Sequence, residues 1–291
     1  MSAISADGLM AVERQVAPRS VRRWYRQPAL AFGVVLLGLI VIAAVLGPLL
    51  SPYNPITQNL GQTLLGPSAH HLVGTDQLGR DTFTRLLYGL RNDLRIAFLA
   101  VVSPFCIGVV LGSISGYFGG WVDAVIMRLV DIVVAFPFYV LVIALVFVLG
   151  PGQRSIYIAI TLVGWVSYAR IIRSEILVAK RQDYVLAAQS GGLSAVRIMA
   201  RHLLPNVVSQ AIIYGMSDIV QDILAIVALG YFGLGIPPPT PDLGSMINDG
   251  QNFMTTHWQL TTFPGLVVVL VGLSLSLIGD GLADIIRPGQ A

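Results

Sequence analysis

Residues 27–73 contain no Asp, Glu, Lys or Arg, and the stretch 29–50 within them is almost wholly apolar. As a helix, these 22 residues are about 33 Å long, enough to cross a bilayer core of about 30 Å. The pattern recurs along the chain. Uncharged runs occupy 96–122, 132–153, 155–169 and 262–278, and a further run, 207–234, is interrupted by Asp218 and Asp222. The run 155–169 spans only about 22 Å as a helix, so it is expected to borrow Ile171 and Ile172 while Arg170 and Arg173 snorkel. Six spans is the most economical count. A cleaved leader fits the first run poorly, because the run exceeds the usual apolar length of about 7–15 residues and no A-x-A site follows.

Composition agrees. Of 291 residues only 11% are charged, against about 25% in a soluble domain, so a globule would lack polar residues to coat its surface. Mean hydropathy is +0.76. The sequence pI of 9.2 does not point to nucleic acid, since the arginines are dispersed among apolar runs. A single cysteine, Cys106, excludes an intrachain disulfide framework, and no zinc-ligand spacing occurs. The expected fold is therefore an all-α polytopic membrane protein with six transmembrane helices.

An even number of spans places both termini on one side, and positive charge chooses that side. Arg14, Arg19, Arg22, Arg23 and Arg26 lie in the tail, Arg128 in the 119–131 connection and Arg287 at the C-terminus. Arg170, Arg173, Lys180, Arg181, Arg197 and Arg201 lie around the 170–206 connection. These thirteen oppose five on the other side: Arg80, Arg85, Arg91, Arg95 and Arg154. Both termini are predicted to be cytoplasmic. The four arginines of the first outer loop run against the rule.

Within the spans, Gly108, Gly112, Gly116 and Gly120 recur every four residues, a ridge on which another helix backbone can approach closely. Plain helix packing and a sliding surface both fit it. Gly265, Gly272 and Gly279 repeat at heptad spacing. Asp218 and Asp222 share one helix face. At bilayer depth each carboxylate costs roughly 2.5–3.5 kcal/mol, so the pair is expected either to line a pathway or subunit interface or to be held by interhelical hydrogen bonds. Asp131 is expected to N-cap the third span. Residues 82–95 read as a separate amphipathic helix capped by Asp81, lying on the membrane surface or on a partner.

The connection 183–206 reads as two short helices outside the bilayer. Asp183 is placed to cap the first, Gly191-Gly192 to stop it, and Ser194 to cap a second that runs toward Leu204 and ends before Pro205. Such a projection suits docking into a groove on a partner.

At this connection the chain resembles the integral-membrane subunits of binding-protein-dependent ABC importers, whose signature is E-A-A, three residues, G, nine residues, I-x-L-P. Leu186-Ala187-Ala188, Gly192, His202 and Leu204-Pro205 occupy these positions, with Leu for Glu and His for Ile. Further segments resemble the C-type permease of dipeptide and oligopeptide importers: Gly74-Thr-Asp-Gln-Leu-Gly-Arg-Asp81, Gly116-Tyr-Phe-Gly-Gly120, Met127-Arg-Leu-Val-Asp131, Phe232-Gly-Leu-Gly235, Pro237-Pro-Pro-Thr-Pro241 and Gly279-Asp-Gly-Leu-Ala-Asp284. In that subgroup Glu is common near position 225, where this chain has Ala225 and Ile226.

The resemblance covers residues 29 to the end and implies a type I ABC importer core, methionine-permease-like, with an extra N-terminal span. The division it implies is a tail 1–28, a first span and outer loop 29–95, a transmembrane domain 96–285 with coupling loop 173–206, and a C-terminus 286–291. It implies a bacterial inner-membrane location and several partners: a second homologous permease, two ATPase subunits or one fused ATPase, and an extracytoplasmic substrate-binding protein. The coupling residues it implies are Asp183, Leu186, Ala187, Ala188, Gly191, Gly192, His202, Leu204 and Pro205. Peptide cargo is implied, with glutathione or a nickel complex as alternatives. No G-x-x-x-x-G-K-[ST] loop is present, so ATP and Mg are expected on the ATPase partners, with no cofactor, metal or catalytic residue on this chain. A self-sufficient secondary transporter would need midplane ion ligands and inverted repeats, and a membrane enzyme would need clustered His or acidic ligands in the spans. Neither pattern is found in the sequence.

Overall fold

The computed structural model describes residues 28–286. The five tail arginines and Arg287 lie outside the described residues. Ten α-helices follow one another among those described: α1 (Pro28–Leu50), α2 (Thr82–Phe118), α3 (Gly120–Val134), α4 (Phe138–Leu149), α5 (Gln153–Ala179), α6 (Asp183–Ser190), α7 (Ala195–Ile198), α8 (Leu204–Tyr231), α9 (Leu243–Gln251) and α10 (Gln259–Ile286). A π-helical turn, Met199–Leu203, joins α7 to α8. Helices α1, α2, α5, α7 to α8 as one run, and α10 are each long and apolar enough to cross a membrane. Helices α3 and α4 qualify together as a sixth span bent by 85°.

Several boundaries differ from those predicted. The expected surface helix and second span form one continuous helix, α2, of 37 residues. Nothing stops it near Ile96: Ile96 and Ala97 are buried, and Asp93 is bonded to the backbone of α9's first residue rather than to water. Helix α2 ends instead at Gly119, whose φ of +66° breaks the run, so the expected 119–131 loop shrinks to one residue followed by α3. Asp131 therefore sits in the last turn of α3 and caps nothing. The third span bends at Ala135–Pro137 because Pro137 lacks the N–H needed to continue the helix and biases Phe136 toward extended backbone. Helix α5 runs on to Ala179 and takes Arg170 and Arg173 into its length.

The most extensive helix pairing is between α2 and α5. A Cβ on Gly108 would stand 2.5 Å from the Trp165 carbonyl oxygen, and one on Gly112 would stand 2.5 Å from that of Ala169. On Gly116 it would meet the Arg173 carbonyl oxygen at 3.0 Å. Three of the four ridge glycines thus let two backbones touch. Gly120 lies beyond the break, at φ +56° with open space around it, and is not part of the ridge. The heptad glycines make no comparable approach: Gly265 faces open space, and Gly272 and Gly279 stand at ordinary contact distance from α8.

Helix α1 packs on α10 and α2 at the rim of the bundle. It buries Leu30, Gly33 and Ala44 while leaving Phe32, Val35, Leu39 and Ile42 exposed, as suits a lipid-facing helix. Behind it, one apolar cluster joins α2, α5, α8 and α10 around Ile96, Ile160, Ile226 and Val271. A second cluster, around Tyr168, Ile172 and Ile176, reaches into α6 and α7.

Candidate functional site

The 183–206 connection is held as an extension of the bundle. Val185 on α6, Ile198 on α7 and Leu203 in the π turn are at most 1% exposed and join the apolar cluster of Ile172 and Ile176. Helix α6 closes at Gly192, whose φ is +75°. There the Gly192 N–H donates to the Gln189 carbonyl at 3.0 Å and the Leu193 N–H to the Ala188 carbonyl at 3.2 Å, the bond pair that ends a helix on a left-handed glycine. Leu193 and Ala188 also pack on the same cluster.

Two local expectations change. Asp183 is the first residue of α6, with Gln182 in the cap position, so its charge favours the helix end through the dipole rather than through a side-chain cap. Ser194 does occupy the cap position of α7 but makes no side-chain cap bond. The second helix does not end before Pro205. The π turn, closed by Leu204 N–H to the Met199 carbonyl, widens the helix where Pro205 would otherwise press on the preceding turn, and the chain runs straight into α8.

Of the remaining predicted positions, Ala188 and Leu204 pack inward on the cluster, and the others fall toward the outer side of this projection. Leu186 is 47% exposed, Ala187, Gly191, Gly192 and Pro205 are exposed, and Ala188, His202 and Leu204 are half-buried. Tyr184 and Val196 add exposed apolar surface. The side chains of Arg181, Arg197 and Arg201 are exposed, with no hydrogen bond or ion pair to any described residue.

A polar brace that sequence reading missed ties this region to α2 and α3. Arg173 donates from Nε and Nη2 to the two Asp123 carboxylate oxygens at 2.5 and 2.6 Å. Ser115 donates to the same carboxylate, and Lys180 Nζ donates to the Gly116 carbonyl at 2.8 Å. The partners are 50 and 64 residues apart, so no local spacing advertises them.

At the opposite end, Gly74–Asp81 folds into a hub. Asp81 caps α2, accepting from Thr84 N–H at 2.7 Å and Thr84 Oγ1 at 2.6 Å, and its other oxygen meets His71 Nδ1 at 2.9 Å. Asp76 accepts from Arg80 Nε at 2.7 Å and lies 3.4 Å from Arg85 Nε. Arg80 and Arg85 are therefore buried and partnered, which explains two of the four arginines that ran against the charge rule. Gly79 has φ +69°, and a Cβ there would overlap the Asn59 carbonyl oxygen, so this turn admits only glycine. Asp93 Oδ2 accepts the Leu243 N–H at 3.0 Å, and Asp242 caps α9 through the Ser245 N–H at 2.9 Å. Burial pushes the Asp242 carboxyl above the usual carboxylate range, opposed by its hydrogen bonds from Ser245.

The two acids of α8 are buried inside the chain. Asp218 is 4% exposed and accepts from Tyr168 Oη on α5 at 2.7 Å. Asp222 is 1% exposed, and neither of its carboxylate oxygens has a partner among the described residues. No group of three potential metal ligands occurs among the described residues.

Residues 108–291 match the family described as the binding-protein-dependent transport system inner membrane component, and residues 19–67 match the N-terminal transmembrane domain of oligopeptide transport permease C. The dipeptide transport system permease protein DppC of Bacillus subtilis is 37% identical over 268 residues, covering 92% of this chain and 84% of that protein. The oligopeptide transport system permease protein OppC of the same organism is 36% identical over 282 residues, covering 94% and 92%. In fold, the chain is similar to the inward-facing MetNI methionine ABC transporter, with a TM-score of 0.54 at 16% identity over 70% of this chain and 96% of that one. An amino acid ABC transporter gives 0.53 at 15% identity, over 67% and 91%. With six spans, a type I importer core and an added N-terminal span, the chain belongs to the inner-membrane permease family of binding-protein-dependent ABC importers, in its dipeptide and oligopeptide C-type branch.

Proposed function

We propose that this chain forms half of the translocation pathway of an ATP-driven importer of dipeptides or oligopeptides, with the 183–205 segment docked on a cytoplasmic ATPase. The observation that carries the reading is the anchoring of that segment. Val185, Ile198 and Leu203 bury into the cluster that holds α5, while Leu186, Ala187 and Val196 remain outside. A push on the exposed face is then passed through a packed core to α5 and, by the unbroken π turn, to α8. A flexible loop would absorb the same push.

On this reading both termini and the 183–205 segment are cytoplasmic, and the Gly74–Asp81 hub faces the binding protein. A second, related permease completes the pathway. Hydrolysis belongs to the ATPase partners, which bind ATP and Mg, and this chain contributes no catalytic residue. Peptide cargo is favoured over glutathione or a nickel complex by the names of the relatives.

The test is Ala187→Glu in the assembled importer. Ala187 is exposed, so the variant is expected to fold and insert normally. Peptide uptake should fall at least about tenfold while basal hydrolysis by the ATPases continues, because a bulky charge in an apolar docking groove is left unpaired. Uptake and cargo-stimulated hydrolysis both at the unaltered level would refute the docking assignment.

A further inference from the structure

Between α3, α5 and α8 lies a cavity of about 760 Å³, within the range of small-ligand sites. Its wall carries two opposite charges, Asp131 from α3 and Arg170 from α5. Both side chains are exposed, and neither has a hydrogen bond or ion pair with any described residue. The contrast with Arg173, one helical turn along α5, is informative: it lines the same cavity but is occupied by Asp123. Charges inside a membrane span are costly unless they face water or a partner, so two exposed opposite charges without partners among the described residues mark this cavity as open to water and to a polar cargo.

Met127 and Val134 of α3 add apolar surface on either side of Asp131, with the buried Val130 beside them, and Ser167 and Ser174 of α5 complete the wall. Tyr214 of α8 forms part of the opposite side and packs edge-on against Tyr168, with ring centroids 5.0 Å apart. Tyr168 is in turn fixed by its bond to Asp218. The wall on the α8 side is therefore rigid, whereas the two charged groups are free to engage.

We infer that this cavity is a transit site for the backbone of a short zwitterionic peptide, Asp131 taking the α-ammonium and Arg170 the α-carboxylate. The inference rests on the peptide-import reading above and assigns that cargo a site within this chain. The chemistry matches on three counts. The carboxylate of Asp131 can accept from the N–H donors of an α-ammonium, the Arg170 guanidinium offers a bidentate fork to a carboxylate, and the apolar residues on α3 ask no specific side chain of the cargo. Such a site reads the two ends of a peptide and tolerates what lies between them.

The experiment uses the assembled importer in lipid nanodiscs without its binding protein, so that the binding protein's own selectivity is bypassed. The probe is photo-leucyl-alanine with free termini, and its N-acetylated and C-amidated forms serve as competitors. Label is expected on α3 or α5 segments lining the cavity, with the free dipeptide competing at least about tenfold better than either blocked form, the scale of one lost charge-assisted hydrogen bond. Asp131→Asn should erase the discrimination against the N-acetylated form alone, and Arg170→Gln that against the amidated form alone. In sealed proteoliposomes supplied with the binding protein, each variant should also lower ATP-driven uptake by about tenfold or more.

Label falling elsewhere, or discrimination unchanged in both variants, would overturn the site while ATP-driven peptide uptake by the unaltered importer left the import reading standing. Loss of the sister permease from the complex in both variants would overturn it too, by assigning the charges to subunit contact. Absence of ATP-driven peptide uptake by the unaltered importer would remove the import reading itself.

Discussion

The close backbone approach between α2 and α5 makes a sharp prediction about Gly112. A Cβ at this position would stand 2.5 Å from the Ala169 carbonyl oxygen and 2.9 Å from its Cα, both backbone atoms that cannot rotate away. Gly112→Ala must therefore part the two helices by about 1 Å to restore an ordinary contact distance, and a gap of that size forfeits a quarter to a half of each dispersion contact across it. The contacts at risk include those of Tyr168 and Ile172, both fully buried. Overpacking of this kind costs about 1–3 kcal/mol, which lowers the ratio of folded to unfolded protein by a factor of roughly 5 to 150. Gly265→Ala is the matched control. It adds the same methyl to a helix of the same chain at a position with open space around it, where the change is neutral or favours the helix by up to about 1 kcal/mol. The assay is thermal unfolding of the purified chain in one detergent, followed by circular dichroism of the helices. Gly112→Ala should melt below the unaltered protein and Gly265→Ala at or above it. Equal midpoints for the two variants would refute the reasoning, since the helix–helix approach would then place no demand on residue size.

The Arg173–Asp123 brace should behave as a unit. Asp123→Asn or Arg173→Gln should each cost about 1–2 kcal/mol in detergent unfolding, and the double variant clearly less than the two costs added, because either change alone leaves the other group unpaired. Additive costs would mean that the two residues act separately. At the opposite end, Asp242 gives a pH signature. Its carboxyl is raised by burial, so the folded chain binds a proton that the unfolded chain has released. This stability is complete below the unfolded carboxylate value of about 3.9 and fades as pH rises through the folded value. Asp242→Asn, which retains a capping oxygen, should flatten that part of the pH dependence of unfolding; an unchanged slope would show that Asp242 does not contribute to it.

How far the site was legible depends on whether its chemistry is local. The 183–205 segment was readable because helix stops announce themselves: Gly191-Gly192 ends one helix, and Gly192 takes the left-handed backbone that glycine admits; the inward anchors Val185, Ile198 and Leu203 showed only in the structure. The continuation through Pro205 was not readable, because a π turn is chosen by the packing of the helices on either side of it. The ridge glycines showed in their spacing, yet Gly120 shared that spacing and fell off the ridge once Gly119 broke the helix. Half of the puzzle of basic residues in the predicted outer loop dissolved only when Arg80 and Arg85 were seen against Asp76; Arg91 and Arg95 remain exposed.

The sequence alone determined that this chain lives in a bilayer and how many times it crosses. Each of these follows from quantities that accumulate along the chain: apolar length against bilayer thickness, charge placement, and the backbone demands of glycine and proline. The tertiary structure decided which charges are spent and which are free. Arg173 and Arg170 are three residues apart on one helix and look alike in sequence, but only Arg173 meets an acid, brought from 50 positions away. That difference is set by how α2, α3 and α5 cross, and ion pairing depends on distance in space, which no pattern along the chain encodes.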